Sequence, residues 1–165
     1  MKRKIIFLDI DGVLNSVDSM ISFQSCNEYA LDKVSIGLLK SLCAITGAEI
    51  VVSSTWRMGR DKKDFMEIFS LHDWLDFPYI GRTRVLDTYQ YNRGNEIQDW
   101  LNANIDQVDY IIIDDDSDML PEQLERFVHV SSVNGFRSKH YCQALRLFGH
   151  PDEKLERQVN WVKGK

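Results

Sequence analysis

Phe7-Leu8-Asp9-Ile10-Asp11-Gly12-Val13-Leu14-Asn15 reads FLDIDGVLN (residues 7–15) and closes the apolar run Ile5–Leu8. A β-branched run that stops abruptly at acids reads as a buried strand whose end reaches the surface. Two carboxylates one residue apart, Asp9 and Asp11, repel each other unless a cation or a proton neutralises them. Gly12 permits the sharp turn that follows and brings backbone amides close to any anion bound there.

The same punctuation recurs downstream. Glu49–Val52 is a second apolar strand and ends in Ser53-Ser54-Thr55. Tyr110–Ile113 is a third continuous apolar run and ends in Asp114, Asp115, Asp116 and Asp118. Pro78–Gly81 and Phe127–Val130 are shorter strand candidates. Between them lie helical patterns: Leu31–Ile45, with Leu31, Val34, Leu38, Leu39 and Leu42 on one face and Gly47 as a stop; Asp61–Ser70; Asn95–Asn104; and His140–Phe148, closed by Gly149. Pro121 opens a helical turn to about Arg126, and Pro151 opens a last helix carrying Leu155, Val159 and Val162. Strands alternating with helices predict a mostly parallel sheet covered on both faces, within one domain spanning 1–165. Such sheets bind ligands beyond the carboxyl ends of their strands. Three polar clusters distant in sequence would therefore meet on one rim.

Composition narrows the class. The net charge of −5 speaks against a surface that is basic throughout, although a local basic patch remains compatible with phosphate binding. Cys26, Cys43 and Cys142 are odd in number and form no zinc-type pair, and Cys43 is expected in the core. The four histidines share no ligand spacing and read as surface or helix-end residues. The apolar run after Met1-Lys2-Arg3-Lys4 is too short for a secretion signal, and no stretch reaches the length of a membrane span. The expectation is a soluble cytoplasmic protein with no membrane partner.

A lone Asp-x-Asp would be read as solvated loop acids or a helix cap. A second acidic cluster after another buried strand turns the reading towards a hard divalent ion in an all-oxygen site, with magnesium the expected cofactor. Ser53 can donate to a phosphoryl oxygen, with a turn or cap role equally open to it and to Ser54. Arg93 can supply a fixed positive charge, and an aspartate can act as nucleophile. These are the parts of a phosphoryl-transfer site.

In combination, four stretches resemble the motifs of the haloacid-dehalogenase-like (HAD) hydrolases, in the family order: FLDIDGVLN, IVVSSTWR (50–57), Arg93 in RGNEIQDWL (93–101) and IIIDDDSD (111–118). The resemblance implies a Rossmann-like three-layer sandwich. It implies that Asp9 is nucleophile and metal ligand, and that Asp11 is general acid–base and binds the metal through its carbonyl. Ser53 and Arg93 would hold the phosphoryl group, Asp114 and Asp115 would complete the metal site, and Asp118 would support it from behind. Gly12, Ser54 and Arg57 are expected on the substrate side. The second acid of the first motif, Asp11, favours a phosphatase over a dehalogenase.

Large caps in this family are inserted after the first motif or between the second and third. Here Asn15–Leu31 leaves room for a hairpin or short flap, so a form without a large cap is expected, open to large substrates or lidded by an oligomeric partner. The layout is similar to the 3′-phosphatase domain of phage-type polynucleotide kinases and to HAD domains of RNA-repair proteins, which implies nucleic-acid ends or nucleotides as substrates. Arg57, Arg60, Lys62, Lys63, Arg82 and Arg84 could steer a polyanion, or form a solvated helix start balanced by Asp61 and Asp64. Trp56 could stack on a base or pack inward. The other readings in play are a phosphatase of a small metabolite and a binding module that retains the fold without catalysis.

Overall fold

The computed structural model describes residues 2–23, 30–86, 92–104 and 108–150. The expected last helix and Cys26 lie outside them. Five strands form one parallel sheet in the order β3-β2-β1-β4-β5. They are β1 (Arg3–Leu8), β2 (Glu49–Val52), β3 (Tyr79–Arg82), β4 (Val108–Asp114) and β5 (Phe127–His129). The helices are α1 (Val17–Phe23), α2 (Lys33–Thr46), α3 (Lys62–Ser70), α4 (Arg93–Ala103) and α5 (Ser138–Leu147).

Strand alternation divides the apolar residues between two faces. Ile6, Leu8, Ile50, Val52, Ile111 and Ile113 join Leu39 and Leu42 of α2, Phe65 and Phe69 of α3, and Leu145 of α5 in one core. Ile5, Phe7, Val51 and Ile112 face the other way, against Ile97 and Leu101 of α4. Phe7 stands edge-on to Trp100 and Tyr110, with ring centroids 5.3 and 5.8 Å away. With both faces covered, the strands read as continuous apolar runs, and for that reason their ends are conspicuous in the sequence.

Local chemistry sets the helix ends. The Asp32 side chain accepts from Ser35 N at 2.8 Å, and Gly47, at φ +68°, ends α2 in the left-handed region. Asp61 and Asp64 form a reciprocal capping box on α3.

Two expectations are corrected and two are made definite. The stretch after Asn15, expected as a hairpin or short flap, opens with helix α1. Pro121–Arg126 is a 3-10 helix. Val34 is exposed, and Ile36 takes its place in the core beside the buried Cys43. His140 lies in the first turn of α5 as a helix-end residue, yet it is buried and its Nδ1 accepts from Arg137 N. Among the described residues no helix is long and apolar enough to cross a membrane.

The order reverses at β1: β2 and β3 lie to one side of it, β4 and β5 to the other. That crevice, at the carboxyl ends of β1 and β4, is where an open parallel sheet leaves room for a ligand.

Candidate active site

Asp9 follows β1 directly, and its amide donates to Ile113 O of β4 at 3.0 Å. Asp114 ends β4 and Asp115 follows it. The shared register brings Asp9, Asp114 and Asp115 together, each offering a carboxylate oxygen within 4.8 Å of the others. Asp9 and Asp114 are buried. Burial, opposed by the Arg93 guanidinium, raises the Asp9 carboxyl to about 6. Burial and then the Asp9 charge raise Asp114 to about 8. Asp115 is also raised, by burial first. Among the described residues one guanidinium serves this group: Arg93 NH1 lies 3.5 Å from Asp9 Oδ1, and its Nε lies 3.5 Å from Asp114 Oδ2.

Three clustered carboxylates and one cation leave excess negative charge. Asp114 Oδ2 is buried and accepts no hydrogen bond among the described residues. An all-oxygen donor set with an unsatisfied buried oxygen fits a hard divalent cation, which Asp9, Asp114 and Asp115 would hold. The Asp11 side chain is outside this cluster.

Arg93 is placed by the start of α4. Asn92 caps the helix by accepting from Asn95 N at 2.8 Å. Asp118 Oδ2 accepts from Arg93 N at 2.7 Å, and Asp118 O accepts from Gly94 N at 3.3 Å. Gln123 Nε2 donates to Gly94 O at 2.9 Å. A Cβ on Gly94 would stand 2.6 Å from Leu120 N, so only glycine allows this approach. Asp118 therefore supports the site by anchoring the residue that carries the positive charge.

The turn after β2 supplies the serines. Ser53 N donates to Leu8 O at 3.0 Å. Its hydroxyl is buried without a hydrogen-bond partner among the described residues. The Ser54 hydroxyl bonds the Asp9 carboxylate and so favours its charged form. Ser54 Oγ also accepts from Trp56 N at 3.3 Å.

Arg57 is corrected from a substrate-side residue to a buried staple, 2% exposed. Its Nε donates to Thr83 O at 3.1 Å. Its NH1 donates to Ser53 O at 2.6 Å and Ser54 O at 2.8 Å. Its NH2 pairs with Glu96 Oε2 of α4 at 2.6 Å, and Glu96 is fully buried. The arginine thus fixes the serine turn against the helix that presents Arg93.

Asp11 stands at the solvent edge, in a loop where Gly12 N donates to Asn15 Oδ1 at 3.0 Å. Gly12 has φ +70°, and a Cβ there would lie 2.2 Å from Asp115 Oδ2. Its substrate-side role is corrected in kind: its own amide is engaged by Asn15, and its lack of a side chain makes room for a site carboxylate. Asn15 Nδ2 and Trp56 Nε1 donate to Asp11 Oδ1 and Oδ2 at 2.8 and 3.0 Å.

The sequence reading missed Asn15, Glu96, Gln123 and His129, whose Nε2 lies 2.9 Å from Asp115 O. Asn15 alone had a local signal, an amide side chain three residues after a glycine turn. Beyond the β2 and β3 ends a groove of about 550 Å³ runs past Met58, Arg82, Thr83 and Arg84. Arg82 NH1 donates to Arg57 O at 2.6 Å, and Arg60 lies over the Trp56 ring at 5.3 Å.

Two outcomes follow from this geometry. The raised carboxyls make the cation-free folded state bind protons more tightly than the unfolded chain does, so cation binding must expel protons. A Mg²⁺ titration by calorimetry should show affinity falling as pH drops from about 8 to about 6, with heats that depend on the buffer; an affinity unchanged across that window would contradict the cluster. Arg57→Met leaves Glu96 charged and buried, and should cost about 3–5 kcal/mol in urea unfolding. Arg57→Met combined with Glu96→Leu should recover part of that, the bared carbonyls of Ser53, Ser54 and Thr83 keeping the rest, and a loss under about 1 kcal/mol for the single variant would count against the staple.

The family model for the HAD domain in Swiss Army Knife RNA repair proteins matches residues 5–141. That span holds every site residue described above. No curated protein and no solved structure matches the chain. The motifs, the parallel sheet and the acid cluster at its switch point agree with the family match: the chain belongs to this family of HAD domains.

Proposed function

We propose that this protein is a magnesium-dependent phosphomonoesterase that works through an aspartyl phosphate on Asp9 and acts on phosphorylated nucleic-acid ends or nucleotides. The observation that carries the reading is the placement of Asp9, buried beside Arg93, bonded by Ser54 and grouped with Asp114 and Asp115. A nucleophilic carboxylate needs a cationic neighbour to receive a dianionic phosphoryl group, and hydroxyls to orient it.

In the first step an Asp9 oxygen attacks phosphorus and the bond to the leaving oxygen breaks. Asp11 gives that oxygen its proton. In the second step water attacks the same phosphorus, Asp11 takes the water's proton, and Asp9 is released as carboxylate. Arg93 neutralises the phosphoryl oxygens, and Ser53 and Ser54 supply hydroxyls beside them. The divalent ion, when bound, adds charge neutralisation for the same oxygens. The Asp11 carbonyl is a further ligand in this reading.

The substrate class rests on the family description, the absence of a large inserted domain among the described residues, and the groove with Arg82 and Arg84 beside the rim. A second reading, a small phosphorylated metabolite under a lid supplied by another copy of the chain, draws on the exposed Met20 and Ile21 of α1, just after the Asp11 loop. A panel of 3′- and 5′-phosphorylated oligonucleotides, nucleotides and sugar phosphates separates the two. The expected outcome is turnover of at least one oligonucleotide end with Mg²⁺, abolished by chelation and by Asp9→Asn with the fold retained. Turnover near wild type in Asp9→Asn, or full activity after exhaustive chelation, would overturn the proposal.

A further inference from the structure

We infer that Trp56 is a positioning residue for Asp11, holding the acid–base carboxylate through its indole N–H; this role rests on the phosphatase reading above. Asp11 is exposed at the rim and its side chain has two free rotations. An acid–base group must reach the leaving oxygen and later the water within hydrogen-bond distance, so its orientation has to be set by its neighbours. Here both carboxylate oxygens have donors: Trp56 Nε1 on Oδ2 at 3.0 Å and Asn15 Nδ2 on Oδ1 at 2.8 Å.

The two donors are themselves fixed. Asn15 Oδ1 accepts from Gly12 N, which leaves its amide nitrogen to face Asp11. An indole N–H can only donate, so its bond to Asp11 has one polarity. The Trp56 backbone amide donates to Ser54 Oγ, and Ser54 bonds Asp9. Trp56 O accepts from Arg60 NH1 at 3.2 Å, and the Arg60 guanidinium lies over the ring. Arg57, next in the chain, ties the same turn to buried Glu96. The nucleophile and the acid–base residue are thus linked through one short turn, from Asp9 to Ser54, Trp56 and Asp11. Each carboxylate oxygen keeps a second lone pair beyond its donor.

The bond predicts a particular pattern of damage. Trp56→Phe keeps an aromatic ring and deletes the donor, while Asn15 variants would also free Gly12 and disturb the loop. An acid matters most when the leaving group is a poor one. Trp56→Phe should therefore lower kcat for an alkyl phosphate by about 10- to 100-fold. It should lower kcat for p-nitrophenyl phosphate far less, with KM little changed for either. In an Asp11→Asn background the further loss should vanish, because residues acting as a unit are not additive.

A second readout is independent of turnover. In a ¹⁵N–¹H correlation spectrum, the indole peak missing from Trp56→Phe identifies Trp56. That peak should move upfield and exchange faster in Asp11→Ala. An unmoved indole peak, equal slowing with both leaving groups, or an undiminished effect in the Asp11→Asn background would each overturn the role of Trp56 while the phosphatase reading stands. A wild-type protein that hydrolyses no phosphomonoester would overturn both.

Discussion

Three carboxylates whose oxygens lie within 4.8 Å of one another, two of them buried, face the Arg93 guanidinium, and the rest of the site is arranged around that imbalance. Like charges this close raise one another's affinity for protons or demand a cation. The fold accepts the arrangement because β1 and β4 run parallel and in register, so Asp9 and Asp114 emerge side by side. The fixed positive charge of Arg93 is held in turn by Asp118, Gly94 and Gln123 at the start of α4. These residues touch no substrate in the proposed chemistry, yet each determines where the guanidinium stands.

The turn after β2 does comparable work by a different route. Arg57 gives its donors to backbone carbonyls and to Glu96 instead of to solvent. A buried ion pair is a weak source of stability, because both charges must leave water, but it is specific about geometry. Here it ties the serine-bearing turn to α4, so the residues expected to cradle a phosphoryl group sit on one rigid unit. Trp56 lies inside that unit and reaches across to Asp11.

Where the fold was legible from sequence, the physics was local. Buried parallel strands are apolar on both faces, so β1, β2 and β4 stood out as uninterrupted runs, and their polar ends marked the rim. Asp9, Asp114 and Asp115 were found in that way and do converge. What was not legible depended on partners. An arginine three residues after a serine looks solvent-facing until Glu96, thirty-nine positions on, proves to be buried beside it. Asp118 reads as a support of the metal site, and its bond to Arg93 N emerges only where α4 starts against it. Trp56 reads in sequence as a base-stacking or a packing side chain, and its bond to Asp11 appears only where the ends of β1 and β2 lie side by side. Helix α1 was missed because a short segment gives too few turns for a periodic signal.

The central claim is that Asp9 carries the phosphoryl group in the course of the reaction. The most direct measurement uses the Asp11→Asn protein, mixed in excess with ³²P-labelled substrate in Mg²⁺, quenched in acid, digested and mapped. The expected result is label on the peptide that contains Asp9, released by hydroxylamine as an acyl phosphate should be. Label on another peptide, or turnover of the labelled substrate with no protein-bound phosphate at any time, would contradict the account.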